Sequence, residues 1–392
     1  MQYNFDTHVE RVGTDCVKYD AMYNALGRTD VKPLWVADMD FPTPPFIIDA
    51  IRKRLEQGVL GYTIPTKNFF LSIIEWQKVR HGVSIKEEEI HFVPGVVPGL
   101  HHAVCALTEK GDKILILTPV YHPFHHVIEI NERKKITSSL KLADGKYEMD
   151  FDDIEKKLDG CRMMFLCNPH NPGGTVWEKD TLAHLAKLCK QKGVTVISDE
   201  IHSDMTLPKR EFTSFVSSCP EARDITITLN SPSKTFNMPG IQCSYYYVYN
   251  PAMRHKLYHF LDQADVAMGN IFAYDCLSAC YSEEGADWLG QMLQYVQENI
   301  NMVEDFLSCN CPKIIPMKTE ASFLIFLDNR QMPFSSGKEL NDFYIQQAHL
   351  ALNEGSMFGA DGEGFMRLNA ALPREELLQC LRQLKAAYDK VV

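Results

Sequence analysis

The sequence predicts an α/β protein in which helices sandwich a mostly parallel sheet, with a smaller α/β domain at the carboxyl end. Three observations carry this prediction. From Ile90 onward, short apolar runs alternate with amphipathic segments, the pattern of βα units that feed a parallel sheet. Four of the later runs each end in a polar cluster. From about Ala286 a long amphipathic stripe leads into a separate set of strands and a closing helix.

Residues 1–45 hold little periodic structure. The apolar Leu34-Trp35-Val36-Ala37 is followed by Asp38-Met39-Asp40-Phe41 and the turn Pro42-Thr43-Pro44-Pro45, which reads as an arm packed on a larger body and joined to the small domain. Ile47, Ile48, Ile51 and Leu55 predict a helix over 46–57 closed by Gly58, with Leu60-Gly61-Tyr62-Thr63 as a loop and a second helix near 69–80. His91-Phe92-Val93 then leads through Pro94-Gly95 into a helix reaching Ala106. Free backbone N–H groups at such a helix start bind phosphate well, although Pro98 contributes none.

Four strands follow. Ile114–Leu117 runs into Pro119-Val120-Tyr121, and Met163–Cys167 into Asn168-Pro169-His170-Asn171-Pro172-Gly173-Gly174. Val194–Ser198 ends in Asp199-Glu200-Ile201-His202, and Ile225–Leu229 ends in Asn230-Ser231-Pro232-Ser233-Lys234. Tyr245–Val248 is a further buried strand, and 253–262 begins a helical region. The expected division is an arm over 1–45 that forms part of the small domain, a large domain over 46–285, and a small domain over 286–392. The last carries strands near 323–327 and 365–368 and a helix from Arg374.

If the four strands are parallel neighbours, Tyr121, Asn171, Asp199 and Lys234 converge at the rim where open α/β sheets collect ligands. Partial desolvation there would lower the pKa of Lys234 enough for a Schiff base with a carbonyl cofactor, and Ser231 and Ser233 offer hydroxyls to an anion such as phosphate. These are the parts needed to hold pyridoxal phosphate. Asp199 would keep the pyridine nitrogen protonated, Tyr121 would stack on the ring, and Asn171 would reach the phenolic oxygen. Once displaced by substrate, Lys234 would move protons at Cα as a general base. One at a time, Asp199 reads equally as a helix cap, Asn171 as a turn residue and Tyr121 as core. Their joint occurrence at four strand ends is harder to explain that way.

With 40 basic against 51 acidic residues and a formal net charge of −11, the chain has no basic surplus for nucleic acid or an anionic membrane. The amino end has no basic region followed by an apolar core, and no stretch approaches a membrane span, so the expected address is cytoplasmic. The 12 cysteines show no paired metal spacing. Cys105, Cys167 and Cys243 lie in apolar runs and read as reduced core residues. His122, His125 and His126 lack clustered acidic or cysteine partners, so no metal site is expected.

The motifs 168–174, 198–204 and 231–237 resemble fold-type I pyridoxal-phosphate enzymes of the class I/II aminotransferase superfamily, whose large sheet is of the seven-stranded type. More narrowly, the chain resembles the MalY/PatB type of cystathionine β-lyase, the cysteine-S-conjugate β-lyases. Support extends from Lys18-Tyr19-Asp20 and 35–41 through 95–98 and 119–124 to Arg367-Leu368-Asn369-Ala370. The resemblance implies Lys234 as the Schiff-base lysine, Asp199 as the pyridinium partner, Asn171 and His202 at the phenolic oxygen, and Tyr121 as the stacking ring. It assigns the phosphate to Ser231, Ser233 and the backbone at Val96 and Val97. Tyr62 would reach the neighbouring subunit's phosphate, which makes a homodimer with shared active sites part of the expectation. Arg367 would grip the carboxylate of an amino-acid substrate, with Asn171 and Tyr62 beside it. His122 and Met238-Pro239 depart from the family pattern at the expected site entrance. Gln242 stands where many aminotransferases carry a phosphate-binding arginine, which favours the lyase branch.

The expected reaction is β-elimination of L-cystathionine, L-cysteine or a related S-conjugate to pyruvate, ammonia and a thiol. Transamination between an amino acid and a 2-keto acid is the alternative, and a catalytically silent binding protein on the same fold is a third reading. The physiological thioether, the balance of the two reactions and any assembly beyond the dimer lie outside what these residues fix.

Overall fold

Side chains alternate sides along a strand, so a run that is apolar throughout needs cover on both faces. The computed structural model, which describes residues 1–392, meets that need with a three-layer arrangement. Helices α1 (Pro45–Leu55) and α2 (Lys67–His81) precede the sheet, and α3 (Val96–Leu107), α4 (Lys179–Lys192), α5 (Glu283–Asn310) and α6 (Arg374–Tyr388) follow in order. The central strands are β1 (Ile90–Val93), β2 (Lys113–Thr118), β3 (Lys134–Ser139), β4 (Cys161–Cys167), β5 (Thr195–Asp199), β6 (Thr226–Asn230) and β7 (Ser244–Tyr247). They form one seven-stranded sheet in the order β1-β7-β6-β5-β4-β2-β3.

Ile114 and Ile116 of β2 pack on one face with Leu100 and Val104 of α3, while Leu115 and Leu117 pack on the other with Leu182, Leu185 and Ala186 of α4. Helix ends follow their local chemistry. Thr66 Oγ1 accepts from Phe69 N at 3.1 Å to start α2, Ser282 Oγ accepts from Gly285 N at 3.1 Å to start α5, and Gly82 closes α2 at φ +65°.

The apolar stripe of α5, with Trp288, Leu289, Met292, Val296, Ile300 and Val303, fills the largest core. That core also takes Phe5 and Phe41 from the amino-terminal arm, and Leu324 and Leu368 from β8 (Leu324–Asp328) and β9 (Phe365–Asn369). β8 and β9 are the antiparallel centre of a separate four-stranded sheet. No helix is long and apolar enough to cross a membrane.

The structure corrects several sequence expectations. The arm is more ordered than its lack of periodicity suggests. Asp20 accepts from Gly13 N, Thr14 N and Cys16 N at 2.9–3.0 Å, helical turns run through Val17–Ala21 and Met22–Leu26, and Lys32–Pro33 pairs in parallel with Leu350–Ala351. β3 was missed because Lys134-Lys135-Ile136-Thr137-Ser138-Ser139 is polar, as befits the sheet's edge. β7 runs antiparallel to both of its neighbours. Cys105 is exposed on α3 rather than buried, while Cys167 and Cys243 are core residues and all 12 thiols are free.

Candidate active site

β6, β5, β4 and β2 are consecutive parallel neighbours, so the turns beyond their carboxyl ends stand side by side along one rim. There they enclose a cavity of about 250 Å3 whose wall includes Lys234, Asp199, His202, Asn171, Cys167, Tyr121 and His122. Arg367 of β9, Val96 at the start of α3, and Trp35, Val36 and Ala37 from the arm complete much of the enclosure. The four residues expected to converge therefore do so. Tyr121 N donates to Asn171 O at 3.0 Å, which ties two of the turns together.

Burial governs the proton affinities in this wall. It pushes the Asp199 carboxyl up to about 7, against the hydrogen bond that Oδ1 accepts from Ile201 N at 3.2 Å. It brings the Lys234 amine down to about 8, and it raises the Tyr121 phenol to about 12. His202 falls to about 3, through burial and then the charges of Lys234 and Arg367, so its ring is neutral. His202 Nδ1 is buried with no hydrogen-bond partner. An acid and a base whose affinities are driven toward one another within one cavity are the usual equipment of proton-transfer chemistry.

Arg367 is held by residues far from it in sequence. Its Nη1 donates to Asn171 Oδ1 at 2.9 Å, and Nη2 to Asn353 Oδ1 at 2.6 Å and Trp35 O at 3.1 Å. Nε is buried without an acceptor. A guanidinium with an N–H to spare in a cavity wall suits a carboxylate. Burial lowers its pKa to about 10, which still leaves it charged at neutral pH.

The arm contributes more than the sequence reading assigned to it. Ala37 O accepts from Lys234 Nζ at 2.7 Å, Val36 O and Asp38 O both accept from Asn369 Nδ2 at 2.7 Å, and Met39 O accepts from Asn237 Nδ2 at 3.0 Å. Asn237, at φ +52° in the Lys234 turn, also accepts from Met39 N at 2.9 Å. Trp35–Ala37 and Asn353 were missed as wall residues. Trp35–Ala37 carried only a short apolar run beside two aspartates and a place in the 35–41 stretch of the resemblance, and their partners lie more than a hundred residues away. Asn353, 14 residues from Arg367, carried no signal.

Other expected residues stand further off. Ser231 Oγ donates to Cys243 O at 2.7 Å and lies 2.8 Å from Ser233 Oγ, and both serines are buried beside Lys234 rather than in the cavity wall. Val97 is half-buried next to Val96 at the free N-terminus of α3. Tyr62 is 98% exposed on the loop before α2, outside this cavity. Of the two departures from the family pattern, His122 lines the mouth, whereas Met238 is buried in the core against Cys280 and does not reach it. Gln242 is exposed at φ +53°. His125 is turned to Phe358 O at 3.1 Å.

Residues 29–384 match the family described as aminotransferase class I and II. The chain is 41% identical over 386 residues to the cystathionine β-lyase PatB of Bacillus subtilis (strain 168), covering 98% of this chain and 99% of that protein. It is 32% identical over 380 residues to protein MalY of Escherichia coli (strain K12), covering 96% of each. The crystal structure of cystalysin from Treponema denticola, which contains pyridoxal 5'-phosphate, superposes with a TM-score of 0.96 at 35% identity and full coverage of both chains.

Proposed function

The chain belongs to the aminotransferase class I and II family, and from that premise we propose that it is a pyridoxal-phosphate-dependent carbon–sulfur β-lyase. It acts on L-cystathionine, L-cysteine or related S-conjugates and yields pyruvate, ammonia and a thiol. The observation that carries this reading is the Lys234 amine, brought down to about 8 in a wall shared with Asp199 and an Arg367 whose Nε has no partner.

The donor set fits the cofactor. Lys234 would be the covalent attachment point, Asp199 the carboxylate for the ring nitrogen, and Tyr121 the stacking ring. Asn171 and the unpartnered Nδ1 of His202 are available to the phenolic oxygen. Val96 and Val97, at a helix start whose first backbone bond runs from Gly99 N to Gly95 O, offer N–H groups to the phosphate, with the hydroxyls of Ser231 and Ser233 nearby. When bound, pyridoxal phosphate supplies an aldehyde that amines condense with and a ring that accepts the electron pair released at the substrate Cα.

The side chains do the rest. Arg367 takes the substrate carboxylate through its spare N–H, held in place by Asn171, Asn353 and Trp35 O. In its neutral form Lys234 accepts the proton from substrate Cα, and the Cβ–S bond breaks with its electron pair leaving on sulfur as a Cα–Cβ double bond forms. The thiolate takes up a proton, and water hydrolyses the released 2-aminoacrylate to pyruvate and ammonia. A carboxyl raised to about 7 by burial keeps a proton readily shared with a ring nitrogen, the role given to Asp199.

The chain is read as a large cofactor-binding domain over 46–285 and a small domain formed by 286–392 with part of the arm. Tyr62 is read as reaching the cavity of a second copy, so the working unit is a homodimer, and the address is cytoplasmic. The near-complete exposure of Tyr62, with Val59, Leu60 and Ile64 also exposed on its loop, supports the dimer.

Incubation with L-cystathionine and no keto acid tests the function. Sustained pyruvate and free thiol are expected. Turnover that appears only after a keto acid is added would replace elimination with transamination.

A further inference from the structure

The arm meets the cavity through Ala37, and the next residue carries a charge that the mechanism does not use. Arg11 grips the Asp38 carboxylate with both ends of its guanidinium, Nη1 to Oδ1 at 3.1 Å and Nη2 to Oδ2 at 2.7 Å, and it donates to Asp40 Oδ1 at 2.7 Å. Lys18, only 1% exposed, donates to Asp40 Oδ2 at 2.9 Å and stands 3.6 Å from Asp38 Oδ1. Two cations and two carboxylates thus form a closed, formally neutral group inside the arm, directly behind the carbonyl that receives Lys234.

We infer that Asp38 is a positioning residue for the reaction: clamped by Arg11 and adjoining the Ala37 carbonyl, its carboxylate fixes how tightly the Lys234 amine keeps its proton. The inference rests on Lys234 being the reacting amine, and it places the control of that amine in the arm rather than among the groups that hold cofactor or substrate. The other groups facing Lys234 are Asp199 at the end of β5, the neutral His202 after it, Tyr121 beyond β2, and Arg367 on β9. Burial lowers the amine's proton affinity most. Of its charged neighbours, Asp38 opposes that most strongly, ahead of Arg367, which reinforces it, and Asp199, which again opposes it. Arg11 in turn partly cancels the field of Asp38, so removing one or the other should push Lys234 in opposite directions. A merely structural clamp would not do that.

The test is the pH dependence of acetic anhydride labelling at Lys234, read by mass spectrometry on the full chain. The cofactor is first removed with hydroxylamine, and near-ultraviolet circular dichroism checks folding. Asp38→Asn is expected to lower the labelling midpoint by about one pH unit. Arg11→Gln is expected to raise it, and Asp38→Glu to leave it near the parent value. The alkaline limb of turnover in the holoenzyme should move with the same signs. Midpoints that shift together, or not at all, in Asp38→Asn and Arg11→Gln would overturn the inference. If Arg11→Gln does not fold, equal midpoints for Asp38→Asn and Asp38→Glu would overturn it. Labelling reads the amine rather than turnover. Opposite shifts in a protein that makes no pyruvate would therefore sink the lyase reading and leave this one standing, and absent shifts in a fully active lyase would do the reverse.

Discussion

Two clusters of buried charge touch the same stretch of arm, and they are built in opposite ways. In the arm cluster each cation reaches both carboxylates. Lys18 and Arg11 hold the Asp40 carboxyl below the usual carboxylate range, while Asp38 and Asp40 raise the Arg11 guanidinium against the cost of its burial. In the cavity cluster the charges lack such partners. Burial wins, Lys234 and Arg367 are lowered, Asp199 is raised, and the Nε of Arg367 and Nδ1 of His202 are left without partners. Pairing satisfies a buried charge and withdraws it from ligands, although its field still reaches neighbouring groups. Leaving it unpaired costs stability and keeps it available to a ligand.

Four changes break or sharpen this contrast, and the first removes the cavity cluster's reactive member. Lys234→Ala should cut pyruvate formation on the order of a thousandfold or more and abolish the absorbance band of the lysine-bound cofactor. Retention of the band would sink the attachment role of Lys234. In the arm cluster, Lys18→Met should leave activity at low temperature but lower unfolding stability by about 3 kcal/mol, because Asp40 loses a buried partner. Urea unfolding measures this, and a loss near zero would show that the cluster is not closed as described.

Arg367→Lys keeps a charge in the cavity but discards the planar fork. A drop in kcat/KM on the order of ten- to a hundredfold is expected, carried mainly by KM. The last change concerns Asp199. Its folded affinity of about 7 lies above its ordinary value of 3.8, so between those pH values the cofactor-free folded chain binds more protons than the unfolded one. Its contribution is fully present below the ordinary value and is lost as pH rises toward about 7. Asp199→Asn should flatten that fall, as measured by thermal unfolding across the window, and an unchanged slope would argue against the raised carboxyl.

The sequence made the cavity's rim legible and its back wall illegible, for a physical reason. Lys234, Asp199, Asn171 and Tyr121 each follow an apolar strand within a few residues, so local patterning finds them and parallel order brings them together. Asn353 and Trp35–Ala37 act through partners in other elements, while Arg11 and Lys18 donate to the carboxylates of Asp38 and Asp40 inside the arm at spacings of 22 to 29 residues that no local periodicity marks. Lys18 stood out only as part of the Lys18-Tyr19-Asp20 stretch of the resemblance, which carries no sign of its burial, and burying a lysine is costly unless its partners come along. The edge strand β3 escaped because an edge needs polar residues that look like loop.

The bonds that close the cavity also set a schedule for making it. Lys234 meets Ala37 across 197 residues, Arg367 meets Trp35 across 332, and Asn369 meets Val36 across 333. A chain emerging from the ribosome can complete the rim from β2 to β6 well before β9 exists. Until Arg367 and Asn369 arrive, the arm has no anchor on that side and the cavity lacks its guanidinium. Lys234 and Asn237 can fasten the arm earlier, but synthesis must run nearly to the carboxyl end before the chamber closes.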